Sequence, residues 1–194
     1  HQKSLTILTV AVIVAFSVVA TGALNYVAKH PSNILNWMIN GETGEAVEHD
    51  LDGATLTLED SWTVSSFDDL TAIGKLFQNF SREGDEDLEG EWLILSPDED
   101  PAILYCYDNE ATTIQLSDLR EALEEDENMT VESIEFHGIP AVEGTAQNPE
   151  KEDIIDYKQI CFIANDKCYE LVVYHGKDDA AERIAQKILD GLSF

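Results

Sequence analysis

The chain has 194 residues with 39 acidic and 11 basic side chains, a formal net charge of −28. Residues 31–194 hold all 39 acids against 9 bases, a net of −30, and so negative a surface repels phosphate backbones and excludes nucleic-acid binding through this part. A hydrophobic fraction of 44 % with 8 % aromatics excludes a disordered acidic tail and predicts a folded domain.

Ser4 to Ala28 is a run of 25 residues without a charge. As a helix rising 1.5 Å per residue it would reach roughly 37 Å, enough to span a bilayer with tilt. Small residues recur four apart (Ala11 and Ala15, Ser17 and Thr21, with Gly22 beside them), so another helix backbone could approach that face closely. Pro31 interrupts, and Ser32 can cap a short amphipathic turn, Asn33 to Asn40, with Ile34, Leu35, Trp37 and Met38 on its apolar side. The first residue is His1 rather than Met, consistent with a processed or shortened start. Three readings compete: a filament-core helix, a plain single-pass anchor, and a cleavable signal peptide, whose apolar core is usually shorter than this one.

A processed start in front of a long hydrophobic helix and an outward domain resembles type IV pilin-like proteins. Leu5 stands where bacterial pilins carry glutamate, so the pattern is similar to the archaeal version, which lacks that acid. The resemblance implies a helix that lies in the membrane before assembly and in a filament core afterwards, with self-association through residues 1–40.

Residues 41–52 have no apolar period and two glycines, and read as a linker. The acidic domain is expected from residue 53 to residue 194. Ala54–Leu58 alternates as a strand, with a turn at Glu59–Ser61 and then Trp62 and Val64. Ser65 or Ser66 can cap a helix with Asp68 and Asp69 in its first turn and an inward stripe of Leu70, Ile73, Leu76, Phe77 and Phe80. Strands are predicted at Glu91–Leu95 and Ala102–Tyr107, then a helix capped by Ser117 that runs to about Glu125. Further strands are predicted at Val131–Phe136, Ala141–Ala146, Tyr157–Ala164 and Cys168–Tyr174, the last two joined by a tight turn at Asn165-Asp166-Lys167. Ala181, Ile184, Ala185, Ile188, Leu189 and Leu192 mark one face of a last helix. The expected class is α+β: a long N-terminal hydrophobic helix plus an antiparallel sheet sandwiched by about three helices.

Gly53-ATLTLEDS-Trp62, then His137-Gly138-Ile139-Pro140-Ala141 between two strands, then a hairpin and a helix ending in Leu192-Ser193-Phe194, together resemble the PsbP-like fold. The resemblance spans about residues 50–194 and implies a non-catalytic accessory or adaptor domain.

No reaction motif emerges. The chain lacks GxGxxG, P-loop and GxSxG patterns, so no cofactor is expected, and the five histidines share no ligand spacing. Asp85 to Glu91 imitates the start of a calcium loop but has Ser96 where the closing bidentate ligand belongs. Cys106, Cys161 and Cys168 lack zinc spacing; buried free thiols or one disulfide between Cys106 and a neighbouring strand are both compatible with the pattern. Asn79 and Asn128 begin glycosylation sequons. The expectation is a non-enzymatic structural subunit of an extracellular surface filament. The alternatives are a single-pass, membrane-anchored PsbP-like accessory or ligand-binding protein, and an unrecognised hydrolase.

Overall fold

Period-two stretches of Val, Ile, Leu and aromatics dominate the acidic domain, and in the computed structural model they become strands of two antiparallel sheets. The structure describes residues 45–69, 85–97, 101–146, 156–175 and 180–194. The smaller sheet has the order β1-β2-β10, formed by β1 (Ala46–Asp50), β2 (Thr55–Glu59) and β10 (Leu192–Ser193). The larger has seven strands in the order β3-β4-β5-β9-β8-β7-β6. These are β3 (Thr63–Ser66), β4 (Leu88–Leu95), β5 (Ala102–Asp108), β6 (Met129–Phe136), β7 (Ile139–Ala146), β8 (Asp156–Ala164) and β9 (Lys167–His175). Every pairing is antiparallel.

Two hairpins fix the register of the long strands. Asn165 (φ 51°) and Asp166 (φ 58°) join β8 to β9, and His137 (φ 49°) and Gly138 (φ 75°) join β6 to β7. Positive φ at both central residues is the geometry whose twist matches that of the flanking strands. The β8–β9 turn is also tied to the neighbouring end of the molecule: Lys167 Nζ donates to the Asp52 carbonyl at 2.9 Å and pairs with Glu89 at 2.8 Å.

Both faces of the seven-stranded sheet are buried. On one, Trp92, Ile94, Leu104, Ile160, Phe162, Tyr169 and Leu171 meet α2 (Ala180–Gly191) and Leu56 and Leu58 of the small sheet. The α2 residues on that side are Ala181, Ile184, Ala185, Ile188 and Leu189, the face that their 3–4 spacing predicts. On the other, Leu93, Ile103, Tyr105, Val142 and Val172 pack with Leu119 and Leu123 of α1 (Leu116–Glu124).

The expected class is corrected here. Strands make up 54 % of the described residues, and the described α-helices are two, of 9 and 12 residues. Much of the cover expected from helices comes instead from the small sheet, which packs Leu51, Leu56 and Leu58 into the core. Among the described residues no helix is long and apolar enough to cross a membrane. The long N-terminal helix, its packing residues Ala11, Ala15, Ser17, Thr21 and Gly22, and the stripe from Leu70 to Phe80 all lie outside the described residues.

Local differences have local causes. Ala46–Asp50, expected as part of a linker, is a strand paired with β2 from Ala46↔Glu59 to Asp50↔Thr55; with four of its five residues exposed, it has no buried face to leave an alternation. The α1 cap is Gln115 rather than Ser117. The Asp118 carboxylate accepts the Gln115 N–H at 2.8 Å, and buried Asn109 clamps the preceding loop through both the N–H and the carbonyl of Ile114, each at 3.0 Å. After β3 the chain enters a 3-10 turn, Phe67–Asp69, where Ser66 Oγ accepts the Asp68 N–H at 3.3 Å.

Candidate functional site

Where the β6–β7 turn meets α2 and the small sheet, the chain leaves an open groove of about 860 Å3. Leu58, Ile139, Leu192 and Phe194 give it apolar walls, and His137, Lys187, Glu59 and Asp190 supply its charge and polarity. The β10 strand places Phe194 beside the core. Its ring centroid lies 5.8 Å from Phe162 and 5.3 Å from Tyr169, edge-on to both, and the side chain stays 40 % exposed. Phe162 in turn stacks on Tyr169 at 5.1 Å and meets Phe136 edge-on at 4.8 Å. The groove therefore sits on an aromatic cluster that spans β6, β8, β9 and Phe194, the residue after β10.

The titratable groups of the groove are held in structural contacts. Lys187 Nζ pairs with Glu59 at 2.7 Å, both about half exposed, a contact that contributes little in water. The His137 Nε2 lies 3.0 Å from the Asp190 carbonyl. That bond pins the β6–β7 turn to the end of α2 and sets the ring tautomer with a proton on Nε2. Gly191 sits against the Thr57 carbonyl so tightly that a Cβ would collide with backbone, and this closeness lets α2 end on β2.

A second, smaller cleft of about 360 Å3 is lined by Asp50, Asp52, Asp68, Asp85, Glu89 and Glu91. Glu89 in this cleft is engaged by Lys167. The calcium-like run Asp85–Glu91 lies here, but it enters β4 at Leu88 through a bulge rather than closing a loop. Among the described residues no group of three or more His, Cys, Asp or Glu side chains is placed to hold a metal ion.

A row of polar side chains crosses the α1-facing side of the sheet. Glu91 stands opposite Tyr105, Tyr105 opposite Glu170, and Glu170 opposite Cys161. Gln159 donates its amide to the Glu170 carboxylate, both buried. The neighbouring Tyr157 phenol is pushed up from its ordinary value by burial and then by the charges of Asp126 and Glu170. No sequence motif marks this row, because its members come from four strands that the topology alone brings together.

The three cysteines are free and buried. Cys106 belongs to the α2-facing core and Cys161 and Cys168 to the α1-facing one. Cys161 lies opposite Glu170, while Cys168 lies opposite Ile163, a diagonal relation whose Cα separation of roughly 7–8 Å is too long for a bridge. Burial pushes the Cys106 thiol up to about 11, against a hydrogen bond with Tyr169 and the charge of Lys167. Burial and then Glu170 push Cys168 up to about 12. Such thiols are poor nucleophiles at neutral pH. Asn128 is exposed in the turn before β6, whereas Asn79 is outside the described residues. His49 is half-buried, its pKa lowered by burial.

No protein-family model and no curated protein sequence matches the chain. Solved structures with a similar chain course include the cyanobacterial PsbP of Synechocystis, at 5 % identity and a TM-score of 0.49, covering 77 % of this chain and 92 % of that one. A Bacteroides thetaiotaomicron protein gives 11 % identity and a TM-score of 0.43, covering 72 % of this chain and 44 % of that one. A Pseudomonas aeruginosa protein of unknown function, PA94, gives 14 % identity and a TM-score of 0.38, covering 78 % and 98 %. Each of these likenesses has a TM-score under 0.5.

Proposed function

We propose that the chain is a non-enzymatic accessory protein of the cell surface, its acidic domain held outward and its uncharged segment Ser4–Ala28 responsible for self-association in a surface filament. The observation that carries the non-enzymatic part is the use of the groove's reactive groups. Lys187 is paired with Glu59, and His137 is bonded to the Asp190 carbonyl, so the groove's lysine and its imidazole each already have a partner within the fold. The three thiols are buried, and burial raises the pKa of Cys106 and Cys168, which leaves those two poor nucleophiles at neutral pH.

Self-association is favoured by the sequence. Twenty-five residues without a charge ahead of residues 31–194, whose net charge is −30, form a segment that water excludes and that packing of several copies would bury. The Ala15→Arg variant should abolish filaments, because an unpaired charge in an apolar contact is strongly unfavourable. Electron microscopy of cell-surface material reads this directly: wild-type-like filaments from the variant refute the filament form. Loss of a catalytic turnover on His137→Gln or Lys187→Met would refute the accessory role itself.

A further inference from the structure

The strand β6 ends the seven-stranded sheet and pairs only with β7. Because the β6–β7 turn has two residues, Phe136 and Ile139 form a hydrogen-bonded pair next to it, and the alternation continues down the ladder. Ile134, Glu132 and Thr130 therefore bond to Ala141, Glu143 and Thr145, in the register observed. The N–H and C=O groups of Val131, Ser133 and Glu135 consequently face away from β7. Pro140, opposite Glu135, fits this phase, since its position needs no N–H toward β6. No backbone or side-chain group among the described residues bonds the outward amides.

This edge carries only part of the usual guard, the carboxylates of Glu132 and Glu135. It is eight residues long, its register with β7 runs without a bulge, and it contains neither proline nor lysine, the devices that natural sheets use to keep an edge unpaired. The opposite terminal strand, β3, has only four residues. The β6 strand is also held firmly from behind: Arg120 of α1 donates to Ser133 Oγ at 2.6 Å and pairs with Glu124 at 2.8 Å.

Charge selects the occupant. Leu116 to Phe136 carries eight acids and one base, Arg120. A second copy docking on the same edge would bring another eight acids and one base against the first, and charges of one sign so crowded repel. We propose that β6 is a docking edge for an extended, lysine- or arginine-rich segment of a partner polypeptide, which joins the sheet as an eighth strand. Backbone bonds to Val131, Ser133 and Glu135 supply the affinity, and the surrounding carboxylates select a basic sequence. The proposal rests on the accessory role, for which it supplies a partner-binding surface.

The test uses the full chain and two synthetic peptides of equal charge, each the length of β6: one alternating lysine with valine, the other its analogue with every backbone amide N-methylated. Both satisfy the electrostatics, but only the first has the amides to form a ladder. The unmethylated peptide should bind roughly tenfold or more tightly, since several net hydrogen bonds separate the two. On binding, amide exchange should slow at Val131, Ser133 and Glu135 and stay unchanged at Thr130, Glu132 and Ile134. The Glu135→Pro variant, whose β7 bonds are untouched, should lose most of that difference while keeping its circular dichroism spectrum. Equal affinities for the two peptides overturn the proposal, as does protection on β1 instead of β6. Protection of the Val131, Ser133 and Glu135 amides in the peptide-free chain also overturns it, because the edge is then already occupied. Amide protection reads the edge alone, whereas turnover dependent on His137 or Lys187 reads the accessory role, so the two can fail separately.

Discussion

Replacing Phe162 by alanine probes the aromatic cluster beneath the groove. Phe162 is fully buried on β8, stacked on Tyr169, edge-on to Phe136 and in contact with Phe194. Truncating a buried phenylalanine costs about 3–5 kcal/mol through lost transfer energy and the cavity left behind. Three aromatic pairs worth about 0.5–1.5 kcal/mol each disappear with it. Tyr169 and Phe136 are held in strands and collapse little, while Phe194, 40 % exposed, can swing inward and recover part of the loss. The expected destabilisation is therefore about 4 kcal/mol, a large share of the roughly 5–15 kcal/mol typical of a domain. Phe162→Leu, which keeps most of the apolar volume, should lose about 1–2 kcal/mol. Urea unfolding followed by the fluorescence of Trp62 and Trp92, both buried, measures this. With a slope of about 2 kcal/mol per molar, the alanine midpoint should fall by about 2 M. A fall under about 0.5 M at unchanged slope would show that the cluster is not a structural centre.

Three further outcomes are expected. Melting temperature should rise as monovalent salt increases from about 0.01 M to 0.15 M, where the screening length shortens from roughly 30 Å to 8 Å; a flat profile would mean that the excess acids are compensated within the fold. Stability should fall with rising pH above about 9, because the unfolded chain releases the thiol protons near 9.0 while folded Cys106 and Cys168 keep theirs to about 11 and about 12; equilibrium unfolding of a variant lacking both thiols should show a shallower decline. A chain starting at Gly53 should be roughly 2–5 kcal/mol less stable than one starting at Glu45, since it loses β1 and the fully buried Leu51; equal urea midpoints would refute a structural role for Ala46–Asp50.

The parts of the fold legible in the sequence are those whose burial leaves a local mark. Alternation located β2, apolar runs buried on both faces located β5, β8 and β9, and the 3–4 spacing of Ile184, Ile188 and their neighbours located α2, because burial on one side of a helix imposes that period. The β1 strand was illegible for the converse reason, being held by backbone bonds with no face to bury. The groove, the polar row through Tyr105 and the open edge at β6 were illegible because each depends on which strands are neighbours. Strand order is set by packing between distant segments and leaves no local mark. His137-Gly138-Ile139-Pro140-Ala141 was the one groove element visible beforehand, as a turn, without any sign that its histidine reaches the α2 carboxyl end.

The strand order has a consequence for how the molecule is made. The large sheet consists of two runs of sequence neighbours, β3-β4-β5 and β6-β7-β8-β9, that meet only where β5 pairs with β9. Each run can form from local contacts, but joining them closes a long loop and belongs to the slow class of β pairings. During synthesis at about 5–20 residues per second, β5 is completed roughly 3–12 s before β9 emerges. Throughout that interval Ile103, Leu104 and Tyr105, all fully buried in the finished sheet, stand on a strand paired with β4 on one side and open on the side that β9 will take. The acids that crowd the chain then act on its neighbours: nascent copies of like charge repel one another, and this keeps the waiting strand from pairing with the wrong molecule.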